Sequence, residues 1–272
     1  MYGTFYAKYP EILLDSYQKI GSPTSTQKHI SLNNPFLKLY LSIFGIPDVS
    51  FQLRAKYFEE TLKSIPIFSP QKILDAGSGI GFYSLFLRRL YPDSTILGVD
   101  IDKHKLSFCR QLNLPHAQYK YADITKLSMP KQSFDLIVNI DVLEHIQDYQ
   151  TVLKNFYRLL KPGGYLYIHT PQINQQRYFK KFFSQWSHEE HVREGFDPVT
   201  LASDLTKIGY THVTYWHGFG PLSALAWELN HIAFKISPFL AALAYPNLYS
   251  LSLLDNHTST TRGLTAYYLA TK

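Results

Sequence analysis

At 272 residues, with 45% apolar and 18% charged side chains, the chain is long enough for one large domain or a domain with a cap, and it is too apolar for a disordered one. Its net charge of +6 comes from scattered Lys and Arg, with no run longer than Lys180-Lys181 or Arg88-Arg89, which argues against a nucleic-acid surface. A single cysteine, Cys109, excludes an internal disulfide and fits a reducing compartment.

The first residues show no basic segment leading into an apolar stretch and a small-residue cleavage site, so a cytoplasmic chain is expected. Residues 1–70 read as a helical leader. Glu11 to Ile20 is one helical stretch, and Gly21 to Thr26 is a polar break. A second stretch runs from Asn34-Pro35 to Phe44 and stops at Gly45-Ile46-Pro47-Asp48. Phe51, Ala55, Phe58 and Leu62 then recur at helical spacing between Pro47 and Ile65.

From residue 72 the pattern changes to strand and helix in alternation. Ile73-Leu74-Asp75-Ala76-Gly77-Ser78-Gly79-Ile80-Gly81 is an apolar run ending in an acid, then three alternating glycines, then a helical pattern from Phe82 to Leu90. Glycines there permit unusual backbone angles and close ligand approach. The following helix points unpaired N–H groups at whatever lies over the turn. The spacing Gly-x-Gly-x-Gly is not the Gly-x-Gly-x-x-Gly of a dinucleotide fingerprint, which argues against a nicotinamide dehydrogenase. Two more strand-like runs end in acids, Thr95–Asp100 and Gln118–Tyr121 with Asp123 just beyond. Three acids at strand tips suit a ligand with ammonium, ribose and exocyclic amine groups. Each acid could instead cap a helix N-terminus.

Further elements follow: a helix at Lys103–Asn113, a strand at Leu136–Ile140, a helix at Tyr149–Leu160, a strand at Tyr165–His169, a helix at Pro198–Ile208 and strands at Thr211–Trp216 and Gly263–Thr271. This is the βα pattern of a mostly parallel sheet. Between the last two strands, residues 218–262 hold the apolar helical segments Leu222–Phe234 and Phe239–Leu254, with Pro238 and Pro246 as breakers. Ile236 to Leu254 is uncharged, but its prolines, Asn247 and serines argue against a membrane span. A helical pair packed on the core, a homodimer contact, a peripheral membrane contact and a roof over a lipophilic substrate all remain open for it.

Ile73 to Gly81, Gly98 to Asp102, Phe134 to Ile137 with Asp141-Val142-Leu143-Glu144-His145, and Leu160-Lys161-Pro162-Gly163-Gly164 together resemble the class I S-adenosylmethionine-dependent methyltransferases, in particular the small-molecule, UbiE/UbiG-like group. The resemblance covers roughly residues 70–215 and the last ten. It implies an α/β, Rossmann-like, seven-stranded, mostly parallel sheet whose last strand is antiparallel. The core would be 71–217 and 263–272, with a helical N-terminal cap over 1–70 and the helical insertion at 218–262.

It also implies S-adenosyl-L-methionine as cofactor, S-adenosyl-L-homocysteine as product, and a set of contacts. Asp75 would meet the amino group. Gly77, Ser78, Gly79 and Gly81 would leave room for the methionine part and ribose. Asp100 would take the ribose hydroxyls, with Ile101 on the adenine face. Asp123 would accept from the adenine amine beside Ile124. Asn139, Ile140 and Asp141 would line the floor near the sulfonium. Tyr6, Tyr17, Arg54 and Tyr57 are lid residues by the same analogy, and Trp186 belongs to the substrate wall.

Methyl transfer needs alignment and exclusion of water. A hydroxyl acceptor also loses a proton, for which histidine suits best. His191, His188 and then His145 are the bases expected, with Arg193 to hold a substrate carboxylate or phosphate. The Asp141–His145 segment has metal-ligand residue types. It reads more simply as a turn, so no metal is assigned. The expected activity is methyl transfer to a small aromatic or lipophilic molecule, at oxygen in preference to carbon or nitrogen. A cofactor-binding assembly protein without catalysis fits the same motifs. Methylation of nucleic acid or protein is discounted: Asn33-Asn34-Pro35-Phe36 is a poor match to a base-flipping signature and precedes the core.

Overall fold

The computed structural model describes residues 39–40, 43–66, 68–175, 177–179, 191–255 and 262–272. Helix α1 (Val49–Lys63) begins where the Asp48 carboxylate accepts from the Phe51 N–H at 3.0 Å, an N-cap that satisfies one of the helix's unpaired donors. Its buried face carries Phe51, Leu53, Ala55, Tyr57, Phe58 and Leu62. The chain then enters the sheet through β1 (Lys72–Ala76), which is buried after its first residue as a central parallel strand must be.

The alternation continues with α2 (Phe82–Leu90), β2 (Thr95–Asp100), α3 (Lys103–Gln111), β3 (Ala117–Tyr121) and β4 (Phe134–Ile140). After these come α4 (Tyr149–Leu159), β5 (Leu160–Pro171), α5 (Pro198–Ile208), β6 (Thr211–Gly218), α6 (Pro221–Ile236), α7 (Pro238–Ser252) and β7 (Thr265–Thr271). The seven strands form one sheet in the order β3-β2-β1-β4-β5-β7-β6. β7 is antiparallel to both of its neighbours, β5 and β6, as expected from the sequence. Strand order reverses between β1 and β4, and such a reversal opens a crevice at the carboxyl ends of the strands. Asp75 pairs in register with Gly98 and Val138, and Ile140 with His169. The tips that carry the acids are therefore brought side by side.

Two apolar layers cover the sheet. One joins α1 and α2 to Ala224, Ala226 and Tyr245 of the inserted helices. The other seats Val152, Leu153 and Phe156 of α4 and Leu201 and Leu205 of α5 on the opposite face. The insertion is thus a helical pair packed on α1, tied there by the Val49 N–H donating to the Asn230 side-chain oxygen at 3.2 Å. No described helix is long and apolar enough to cross a membrane. Phe239, Leu240, Leu243 and Leu254 stay exposed in and just after α7.

One expectation fails here. Pro238 does open α7, at its first position, but Pro246 lies inside the helix and does not break it. A proline in mid-helix leaves the carbonyl four residues earlier without its N–H donor. That carbonyl belongs to Ala242, and the Tyr40 hydroxyl donates to it at 2.6 Å. A side chain from the leader thus supplies the hydrogen bond that the proline removes.

Candidate functional site

The turn after β1 is built from left-handed glycines. Gly77, Gly79 and Gly81 have φ of 84°, 53° and 86°, a region open to glycine at little cost. The Gly77 and Ser78 N–H groups both donate to the Val99 carbonyl, at 2.8 and 2.9 Å, which folds the turn over β2. The three glycines differ in what surrounds them. A methyl group on Gly77 would sit 2.3 Å from a Val142 methyl, and one on Gly81 would sit 2.7 Å from Leu112. One on Gly79 would meet nothing within 4 Å. Only Gly79 of the three faces open space, so Gly77 and Gly81, expected to make room for a ligand, instead make room for Val142 and for Leu112 at the end of α3. Gly77→Ala is expected to destabilise the fold by about 2–4 kcal/mol, from overpacking plus left-handed strain. Gly79→Ala should cost only about 1–2 kcal/mol, from strain alone. Thermal denaturation of the two variants checks this.

The acids divide by role. Asp75 is 3% exposed, and the Ser84 hydroxyl donates to its Oδ2 at 2.6 Å. Burial pushes its pKa up to about 6, with the Ser84 bond pulling the other way. Asp100 accepts from the Gly79 N–H through Oδ2 and from the Asp102 N–H through Oδ1, both at 2.8 Å. Helix capping, the alternative for the strand-tip acids, holds for Asp123 and not for Asp75 or Asp100. Asp102 caps α3, and Asp123 caps the short turn Ile124–Lys126, accepting from the Thr125 N–H and hydroxyl. Those Thr125 bonds hold the Asp123 carboxyl below its ordinary pKa. Ile124 is buried, whereas Ile101, just past the β2 tip, is 65% exposed.

At the β4 tip the Asn139 side-chain amide donates to the Ala76 carbonyl at 2.6 Å, and the buried Oδ1 of Asn139 has no hydrogen-bond partner among the described residues. Ile140 follows, half-buried. Asp141 takes a left-handed φ of 53° and is clamped between two cations or donors. Its Oδ1 lies 2.7 Å from His169 Nδ1, and its Oδ2 accepts from Arg54 of α1. Burial would raise the Asp141 pKa, but Arg54 and His169 overcome that and hold it well below the carboxylate range. Arg54, expected to serve as a lid, is therefore an ion-pair partner of the strand tip.

Beyond Asp141 a tight turn, Leu143–His145, meets the segment that starts at His191. The Val192 N–H donates to the Glu144 carbonyl at 3.1 Å. The Arg193 guanidinium donates to the carbonyls of Leu143 (2.8 Å), Ile146 (2.6 Å) and Gln147 (2.9 Å). It is also flanked by the rings of Tyr149 and Phe196, at 4.9 and 5.1 Å. Arg193 is thus a staple between two loops and not the expected hook for a substrate anion: three of its N–H donors go to backbone carbonyls. The staple brings His145 and His191 together, ring centroids 4.5 Å apart and perpendicular. Glu144 beside them is buried, which pushes its pKa up to about 8.

Tyr57 is core, 2% exposed and stacked 5.3 Å from Tyr267, so it does not serve as a lid. Tyr6, Tyr17, Trp186 and His188 lie outside the described residues. His169 escaped the sequence reading, where the only signal was a polar residue ending an otherwise apolar strand. An open cavity of ≈ 790 Å³ lies past the β5 tip, lined by Gln172, Arg177, Tyr178, Phe219, Ala224 and Arg262 among others. The first turn of α6 forms one of its walls. The inserted helices therefore shape a cavity as well as packing on α1.

Residues 51–215 match the methyltransferase-domain family. The demethylmenaquinone methyltransferase of Listeria monocytogenes serotype 4a (strain HCC23) is 26% identical over 212 residues, covering 69% of this chain and 87% of that protein. Phosphoethanolamine N-methyltransferase 3 of Arabidopsis thaliana is 35% identical over 105 residues, which is 36% of this chain and 20% of that one. Among solved structures, Haemonchus contortus phosphoethanolamine N-methyltransferase 2 in complex with S-adenosyl-L-methionine superposes with a TM-score of 0.57 at 22% identity. That match covers 80% of this chain and 52% of the other, and the likeness is one of fold.

Proposed function

The chain belongs to the methyltransferase-domain family, and from that premise we propose that it transfers the methyl group of S-adenosyl-L-methionine to an oxygen of a small, lipophilic or aromatic acceptor. The observation that carries the reading is the crevice at the strand-order reversal. There Asp75, the open left-handed turn at Gly79 and the tethered Asp100 line up on adjacent strand tips. A buried carboxylate suits the ammonium of the methionine part, and Asp100 suits a ribose diol. Ile101 supplies an apolar surface for the adenine face. The buried Asn139 Oδ1, without a hydrogen-bond partner among the described residues, is an acceptor at the neighbouring β4 tip. The cavity past β5 holds the acceptor molecule.

In the transfer, the acceptor oxygen bonds to the methyl carbon as the carbon–sulfur bond breaks, and S-adenosyl-L-homocysteine leaves as a neutral thioether. The protein's part is to align the two and keep water out. The acceptor's proton leaves at the corner formed by His145 and His191, taken there by a ring nitrogen or by water. Asp141, fixed by Arg54 and His169, holds the loop between cofactor and acceptor.

Proton linkage at Asp75 gives a direct test. Its raised pKa means that the folded apoprotein binds a proton that the unfolded chain releases. That contribution to stability is present below the ordinary carboxylate pKa and lost as pH rises toward about 6. Binding the ammonium requires the ionised form. Affinity for S-adenosylmethionine is therefore expected to rise roughly tenfold per pH unit up to about pH 6 and to level off above it. Asp75→Asn should bind about 10–100-fold more weakly, with no such slope. A flat profile in the unaltered chain, read by calorimetry from pH 5 to 8, would remove Asp75 from the ammonium. Release of S-adenosyl-L-homocysteine with hydroxylated lipophilic acceptors, and not with amines, tests the acceptor assignment.

A further inference from the structure

Glu144, His145 and His191 each present one ligand atom such that all three atoms lie within 4.8 Å of one another. Two imidazole nitrogens and a carboxylate oxygen are a donor set of transition-metal type, better suited to zinc, cobalt or iron than to magnesium or calcium. We infer that this corner is a binding site for one divalent transition-metal ion, held by Glu144, His145 and His191.

Three independent features support the site. First, Glu144 is 2% exposed, and its Oε2 has no hydrogen-bond partner among the described residues. A buried carboxylate oxygen without a donor is costly, and a cation on it removes the cost. Second, the two histidines are exposed, so an ion can enter from solvent and keep open positions for water or an acceptor oxygen. Third, the two segments are preorganised. Val192, next to His191, donates to the Glu144 carbonyl, and Arg193 donates to three carbonyls flanking Glu144 and His145. The histidine on one loop is thus positioned against the glutamate and histidine of the other by four hydrogen bonds that do not involve the ligand atoms. Metal–nitrogen bonds of about 2.0–2.1 Å place tetrahedral ligand atoms roughly 3.4 Å apart. The observed separations, all within 4.8 Å, are close to that spacing.

The site does not depend on the identity of the methyl acceptor, and metal binding can be read without turnover. The experiment is titration of the full chain with Zn²⁺ by calorimetry and with Co²⁺ by visible absorption, beside His145→Ala, His191→Ala and Glu144→Gln. The expected result is one ion per chain with micromolar or tighter affinity, and cobalt d–d bands that saturate at one equivalent. Each histidine variant should weaken binding about hundredfold or more, with circular dichroism unchanged because both rings are exposed. Glu144→Gln keeps the shape and lowers affinity by removing the charge. No saturable binding to the unaltered chain would overturn the inference, and so would binding that the two histidine variants leave unchanged. Retained S-adenosylmethionine binding in a chain that binds no metal would overturn this site alone and leave the methyltransferase reading standing.

Discussion

Calorimetric titration with S-adenosylmethionine is expected to lose at least about two orders of magnitude in affinity when Asp100 is replaced by alanine. Asp100 uses each carboxylate oxygen once, toward the N–H groups of Gly79 and Asp102 at 2.8 Å. Each oxygen retains a lone pair for a ribose hydroxyl. Hydrogen bonds to a charged acceptor are worth about 1.5–3 kcal/mol each. Losing a pair of them, together with the tether that shapes the Gly79 turn, amounts to roughly 3–6 kcal/mol, or about 10²–10⁴ in affinity. Asp102→Ala is the control. It removes the α3 cap, formed with the N–H groups of His104 and Lys105, and should cost about 1 kcal/mol of stability without changing affinity. Undiminished binding by the Asp100 variant would move the diol elsewhere. Failure of the folded, unaltered chain to bind either S-adenosylmethionine or S-adenosylhomocysteine would sink the cofactor assignment.

A loss of stability as large as that of Gly77→Ala, with a pH signature of its own, is expected at Asp141. It carries the ion pair to Arg54 and the hydrogen bond to His169 while holding a left-handed backbone. Removing one partner of a buried pair costs about 3–5 kcal/mol because the other is left uncompensated. Here the two side chains of the ion pair are 28% and 29% exposed, so about 2–4 kcal/mol is expected for Asp141→Ala. The melting temperature should fall by roughly 5–12 °C for a chain of this size. Because the folded pKa of Asp141 is depressed, its contribution is fully present above the ordinary carboxylate pKa. It is lost as pH falls below that value. The difference between the unaltered chain and the variant should therefore be constant from pH 5 to 8 and shrink below about pH 4. A difference that grows toward acid pH would contradict the ion-pair assignment.

Much of the sheet was legible because local signals agree with it. An apolar run ending in Asp100 marked the end of β2, Gly81 marked the start of α2, and Asp197-Pro198 with Gly209 bounded α5, cap to stop. The acids were harder. Asp75, Asp100 and Asp123 look alike as strand-tip residues, and only the structure separates the cap from the other two. Arg193 and Tyr57 were misread because a charge or an aromatic ring in a loop-rich chain looks available to ligand until its partners are known. Three backbone carbonyls and a stacked tyrosine are contacts that no spacing rule reports. His169 and Glu144 depend on residues far along the chain, so their meaning appears only once β5 lies beside β4 and the His191 loop is stapled down.

The bond from Tyr40 to the carbonyl that Pro246 leaves bare spans 202 positions of sequence. Contacts of such long separation close late in folding, since the entropy of the intervening chain must be spent first. The β1–β2 and β2–β3 pairings close over far shorter separations, Lys72 with Thr95 and Ile96 with Ala117. Docking of the α6–α7 pair onto the leader is therefore expected to be a late step on the pathway to the native state. By the same reasoning that pair is expected to open early in native-state fluctuations. Backbone amides of α6 and α7 should accordingly exchange with solvent by sub-global opening, well before those of β1 and β4.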